Sequence, residues 1–167
     1  MNVVLCGMMG VGKSTVGIKV AELTKRRWVD TDILISNRYG RILDIFEYYG
    51  EAHFRQLESE IVEELSQKDE LVISTGGGLV LKWENAESLK KNGKIFFLNA
   101  SLDTLLSRVQ GDDNRPLLRH TGARERLETL LNERTPIYRH VADFALETDA
   151  KSADEVAAEI FAIMRKL

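Results

Sequence analysis

The apolar positions of this chain change period repeatedly. Val3-Val4-Leu5-Cys6 is an unbroken apolar run, which predicts a short strand buried on both faces. Val16, Val20 and Leu23 then recur at helical spacing and predict a helix over Lys13 to about Lys25. Trp28-Val29-Asp30 reads as a second short strand. A helix follows from about Ile33 to Gly40, a candidate left-handed C-cap. Leu43–Tyr49 reads as a short helix closed by Gly50. Glu51–Gln67 is a longer one, with Phe54, Leu57, Ile61 and Leu65 on one face. Leu71–Ser74 is a third strand and runs into Gly76-Gly77-Gly78. A helix over Glu84–Asn92 stops at Gly93, and Lys94–Leu98 is a fourth strand. Ser101 N-caps a helix that reaches about Val109. Gly111–Gly122 is polar and charged with no apolar period, and reads as a lid over a site. Ala123–Glu133 is helical, and Pro136 kinks or ends that helix. Asp143–Thr148 alternates like an edge strand. Ser152 and Glu155 form a capping box for a last helix whose Val156, Ile160, Ile163 and Leu167 face the core.

Strands alternating with helices throughout predict an α/β protein with a mainly parallel sheet, and neither a repeat nor a low-complexity stretch interrupts it. The 167 residues suffice for one domain, 1–167, with a sizeable core. A net charge of −3 argues against non-specific nucleic-acid binding. The one cysteine, Cys6, reads as a buried core residue rather than a disulfide partner. His53, His120 and His140 lack metal-ligand spacing and read as surface or lid residues. Met1 leads straight into a strand, and no apolar run approaches the ~20 residues of a membrane span. A cytoplasmic protein with no membrane partner is the expectation.

The chemistry begins with Gly7-Met8-Met9-Gly10-Val11-Gly12-Lys13-Ser14, which fits G-x-x-x-x-G-K-[ST] and is followed by Thr15. It sits between a predicted strand and a predicted helix, the context a phosphate-binding P-loop requires. There the loop and helix N–H groups converge on an anion, Lys13 can reach the β- and γ-phosphates, and the Ser14 hydroxyl can ligate Mg²⁺. A glycine-rich turn with a surface lysine is the plainer alternative.

Three further constellations stand out. Asp30 and Asp32 lie two apart at the end of the second strand, so both carboxylates would face the crevice beyond the strand ends. One could hold hydrated Mg²⁺ and the other orient an acceptor hydroxyl, although Asp32 could simply cap the next helix. Gly76-Gly77-Gly78 would bring bare backbone against a ligand and offer it N–H groups. Arg55, Arg108, Arg115 and Arg134 are candidate anion binders. Their plainer roles are surface pairs of Arg55 with Glu51 and Glu58, and a helix-end charge for Arg108.

Taken together, Gly7–Thr15, Asp30-Thr31-Asp32, Ile45-Phe46-Glu47 through Phe54-Arg55, Thr75–Gly78, Arg115–Leu118 and Glu133-Arg134 through Tyr138 resemble the shikimate kinase family, small P-loop kinases of the aromatic amino-acid pathway. The resemblance implies a three-layer P-loop kinase fold with five parallel strands in spatial order 2-3-1-4-5, flanked by helices. It implies a substrate-binding subdomain over about residues 33–61 and a lid over about 111–122. It implies ATP as co-substrate, Mg²⁺, transfer of the γ-phosphoryl group to the 3-hydroxyl of shikimate, and a monomer. Gly10, Val11, Gly12, Lys13, Ser14 and Thr15 would bind phosphates, with Arg108 beside the adenine. Lys13, Asp32 and Arg115 would be catalytic, Arg115 as the lid arginine. Arg55, Arg134, Asp32 and the Gly76–Gly78 backbone would hold shikimate, with Phe46 and Phe54 as apolar walls. Ser14 and, through water, Asp30 would serve the metal. The rival readings are a gluconate- or nucleotide-kinase-like enzyme and a non-catalytic ATP-binding switch.

Overall fold

A computed structural model describes residues 1–109 and 122–167. Five parallel strands form one sheet in the order β2-β3-β1-β4-β5, matching the expected order. β1 (Asn2–Cys6) lies at its centre, and all five of its residues are buried. That placement explains its unbroken apolar run, since a central parallel strand is covered on both faces. β3 (Leu71–Ser74) and β4 (Gly93–Asn99) flank it. β2 (Arg27–Asp30) and β5 (Phe144–Glu147) are the two edges. β5 buries Leu146 and exposes Ala145 and Glu147, the alternation of a half-covered edge.

Helices cover the sheet. α1 (Lys13–Thr24) packs on α8 (Ala153–Met164). α2 (Thr31–Tyr39), α3 (Ile42–Tyr49) and α4 (Glu51–Ser66) all intervene between β2 and β3. α5 (Trp83–Lys90) packs on α4 and β4. α6 (Leu102–Val109) precedes the undescribed stretch, and α7 (Ala123–Val141) follows it. One apolar cluster joins β1, β3 and β4 to inward-facing residues such as Val20, Leu57, Ile61 and Ile160.

Several local expectations need correction. Pro136 does not end its helix: α7 runs through it to Val141. Beyond the proline, Tyr138 and Val141 are fully buried, so packing outweighs the one backbone hydrogen bond that proline cannot donate. Leu23 is 46% exposed and Leu167, beyond the end of α8, is 59% exposed, so neither joins the core. Gly93 opens β4 instead of stopping α5. Gly40 has positive φ (95°) but extended ψ (−178°), so it turns the chain without being a left-handed cap. The Ser101 cap and the Ser152–Glu155 capping box form as expected. Cys6 is buried, which pushes its thiol up to about 12. His53 and His140 are exposed, whereas His120 lies outside the described residues.

Candidate active site

The site sits beyond the C-terminal ends of β1, β2 and β3, where parallel sheets bind ligands. The phosphate loop follows β1. Gly12 caps α1 with φ 102° and ψ 22°, a left-handed conformation that a side chain would strain. Lys13 donates from Nζ to the carbonyls of Gly7 (2.7 Å) and Met8 (2.9 Å), so its ammonium lies across the loop. Arg108 of α6 reaches the same loop from the other side and donates to the Gly10 (3.3 Å) and Val11 (3.0 Å) carbonyls. A cavity of about 720 Å³ opens over this floor. Its walls include Gly10, Gly12, Lys13, Ser14, Thr15, Asp30, Asp32, Gly76, Gly77 and Arg108. A second cavity of about 240 Å³ lies beside it, between Arg108 and Thr15 on one side and Thr148, Lys151 and Val156 on the other.

The two aspartates reach the cavity by different routes, contrary to the expected extended pair. Asp30 ends β2 and is itself the N-cap of α2, its Oδ1 accepting from the Asp32 (2.9 Å) and Ile33 (3.2 Å) amides. Its Oδ2 accepts from the Ser14 hydroxyl at 2.5 Å, which ties the start of α1 to the end of β2. The cap role weighed for Asp32 therefore belongs to Asp30. Asp32 stands in the first turn of α2, where the helix dipole favours its charge.

The triple glycine is the hub of the acceptor end. A Cβ built on Gly76 would fall 2.6 Å from Asp32 Oδ1 and 3.1 Å from Glu58 Oε1. One on Gly77 would lie 3.3 Å from Arg134 Nη1, and one on Gly78 2.6 Å from the Arg55 guanidinium carbon. Real Cβ atoms do not approach that closely at Gly76 or Gly78, so side chains there would displace the charged groups. The glycines thus let Asp32, Glu58, Arg134 and Arg55 converge from α2, α7 and α4 onto one short loop. The Gly76 amide is not offered to a ligand, because it donates to Thr31 Oγ1 (2.9 Å).

Arg55 is held by Glu58 (2.8 Å) and Glu51 (3.1 Å), and its guanidinium lies 5.3 Å from the Phe54 ring centre. Phe46 and Phe54 pack with their rings tilted at 47° and their centres 5.0 Å apart. Among the described residues, Arg55, Arg134, Phe46 and Phe54 are not walls of the large cavity. Arg134 lies against Gly77 and Arg55 against Gly78. Arg115 and the expected lid lie outside the described residues, apart from Gly122, which caps α7.

Glu58 corrects the surface-pair reading: its side chain is 1% exposed. Burial pushes its pKa up to about 7. Arg55 and Arg134 pull it down, and the nearby Asp32 adds to the rise. For Arg55, burial opposes the charge, but the two glutamates outweigh it and the net direction is up. Both partners shift upward because burial of the acid exceeds what the ion pair returns to it.

Three more residues escaped the sequence reading. Thr31 is fully buried and pins Gly76. Ser74 accepts from Trp28 Nε1 (3.0 Å) and donates to the Lys13 carbonyl (2.8 Å). Tyr138 stacks on Phe97, and its hydroxyl donates to the Gly77 carbonyl, facing Arg134 one turn earlier on α7. The four-residue spacing of Arg134 and Tyr138 was the available signal, since it puts both on one helix face.

A parallel sheet of this order, a phosphate loop on the central strand and an acidic–basic cluster across the cavity define a P-loop phosphotransferase that uses ATP as co-substrate. The sequence profile described as shikimate kinase matches residues 9–165. A shikimate kinase from Actinobacillus pleuropneumoniae is 41% identical over 167 residues, covering 99% of this chain and 96% of the relative. The solved shikimate kinase from Acinetobacter baumannii in complex with shikimate superposes with a TM-score of 0.95 at 38% identity, covering 99% of this chain and 93% of the other. That from Aquifex aeolicus gives 0.86 at 36%, with coverages of 99% and 96%. The chain belongs to the shikimate kinase family.

Proposed function

We propose that this chain transfers the γ-phosphoryl group of ATP to the 3-hydroxyl of shikimate. The convergence of Asp32, Arg55 and Arg134 on Gly76–Gly78, a loop whose Gly76 and Gly77 share the large cavity with Lys13, carries the reading. The two guanidiniums suit a ring carboxylate, which a planar fork can grip bidentately. Asp32 then aligns the hydroxyl and accepts its proton. Phe46 and Phe54 support the apolar face of the ring from behind Arg55. The loop from Gly10 to Thr15 holds the phosphates, and Lys13 exchanges its carbonyl partners for the β- and γ-phosphate oxygens. The purine occupies the second cavity beside Arg108. Arg115, assigned on family likeness alone, neutralises charge on the transferring group.

The donor set suits magnesium. Ser14 and Asp30 present hard oxygens already 2.5 Å apart, and no cluster of three or more His, Cys, Asp or Glu is found among the described residues. Magnesium favours few protein ligands, with water and phosphate oxygens filling its shell. Ser14 would ligate it directly and Asp30 through water. When bound, it would draw charge from the phosphate oxygens. We also read the chain as one domain, a monomer and cytoplasmic, with residues 33–61 as the substrate subdomain. No described helix is long and apolar enough to cross a membrane.

The test is ADP release from Mg·ATP with shikimate, gluconate, nucleoside monophosphates or no acceptor. Release dependent on shikimate is expected. Release with gluconate or a nucleotide instead would overturn the acceptor assignment, and ATP binding without acceptor-dependent release would favour a switch protein. Asp32→Asn should abolish turnover while sparing ATP binding, and unchanged turnover would remove Asp32 from its role. Arg134→Ala should weaken shikimate binding alone; equal loss of ATP binding would indicate misfolding.

A further inference from the structure

We infer that binding of the acceptor's carboxylate is coupled to uptake of a proton by Glu58. This rests on the acceptor-site assignment above and adds to it a chemical cost of occupancy. Four charged groups meet at the glycine loop: Arg55 and Glu58 from α4, Asp32 from α2 and Arg134 from α7. With both acids ionised their charges cancel. An anionic ligand makes the cluster net negative in a place where Glu58 and Arg134 are almost fully removed from water. Desolvated like charges disfavour one another strongly, and the group already least stable as an anion takes the proton.

That group is Glu58, on geometry. Its Oε2 is held by Arg55, while its Oε1 is buried and has no hydrogen-bond partner among the described residues. An ionised oxygen with no donor is costly, whereas a protonated one is a donor in its own right. Protonation also frees Arg55. Its guanidinium gives one N–H to Glu58 and one to Glu51, so a ligand carboxylate takes remaining N–H groups and competes with both acids for the cation's charge. Glu51 is half exposed and water screens its charge, whereas buried Glu58 is relieved of the competition by taking a proton. The tendency of burial to hold Glu58 near neutrality supports the same direction.

The experiment is calorimetric titration of shikimate into the protein at about pH 7.5, in two buffers of different ionisation enthalpy. The dependence of binding heat on buffer gives the protons exchanged. A net uptake on the order of half a proton or more per acceptor is expected, with affinity falling by up to about tenfold per pH unit above that point. Glu58→Gln should still bind shikimate, with no uptake and a flat pH dependence. Asp32→Asn removes one negative charge from the cluster and should reduce the uptake. Binding without uptake by the unaltered protein overturns the proton coupling while leaving the acceptor assignment intact. So does uptake that survives in Glu58→Gln. No saturable heat with shikimate, while Mg·ATP still titrates, overturns the acceptor assignment itself. The unaltered protein's result tests the coupling even should Glu58→Gln fail to fold.

Discussion

Asp30 serves two masters with its two oxygens, and a pair of substitutions separates them. Oδ1 caps α2, and Oδ2 fixes the Ser14 hydroxyl. Asparagine keeps the capping oxygen but loses the charge, so Asp30→Asn should fold with near-native stability. It should weaken apparent Mg²⁺ affinity by roughly 10–100-fold, as loss of an outer partner of a metal site does. Asp30→Ala should lose both functions and about 1 kcal/mol of stability. Thermal melts and Mg²⁺-dependent turnover of the two variants check this; equal stability loss in both would deny the cap. At Gly78 the prediction is about space. Gly78→Ala sets a methyl against the Arg55 guanidinium. The shikimate KM should rise about tenfold or more, a cost of ~1.4 kcal/mol or greater, with the ATP KM unchanged. Steady-state kinetics with each substrate varied in turn decides it.

At the level of elements, signals that act within a few residues were legible. The unbroken run of β1, the Ser101 cap and the Ser152–Glu155 box all depend on neighbours close in the chain. Ser152→Ala should therefore cost about 1 kcal/mol and lower Tm by roughly 2–4 °C, leaving the shikimate KM untouched, since α8 carries no acceptor residue. A melting curve alongside a turnover assay checks both halves. What depends on long-range packing was not legible. The course of α7 through Pro136 is set by burial of Tyr138 and Val141, which no local rule registers. Glu58 belonged by helix spacing to a surface pair with Arg55, and only the packing of α2, α7 and the glycine loop buries it. The phosphate loop, Asp32 and the glycines stood out by motif or residue type, whereas Arg55 and Arg134 entered the candidate site through the family resemblance. Thr31 and Tyr138, ordinary in type, matter only for what they touch across the fold.

For the molecule as a whole, the buried acid ties stability to pH. The native state holds the Glu58 proton up to about pH 7, whereas an unfolded chain releases it near 4.5. Between those values the folded form binds more protons, so its contribution to stability falls as pH rises. The full effect is of order 3 kcal/mol, reached above pH 7. Glu64 runs oppositely: its bonds to Arg38 and Lys68 hold it down to about 2, so its contribution is present above the ordinary carboxylate range and lost as pH falls toward 2. Urea melts from about pH 5 to 8 should show declining stability for the unaltered protein and a flatter profile for Glu58→Gln. A flat profile in both would mean that Glu58 titrates normally.

The crowding around Gly76 and Gly78 also bears on how such a pocket could be diverted to a new acceptor. Any amino-acid substitution at either position adds at least one carbon where Asp32 or Arg55 already stands, so the loop itself is closed to stepwise variation. Arg55 and Arg134 instead arrive as long side chains from helices whose backbones lie elsewhere, and each can be exchanged without rebuilding the loop. A mutational library aimed at acceptors lacking a carboxylate is best spent on those two arginines together with Glu58, whose charge they balance, with the glycines held constant.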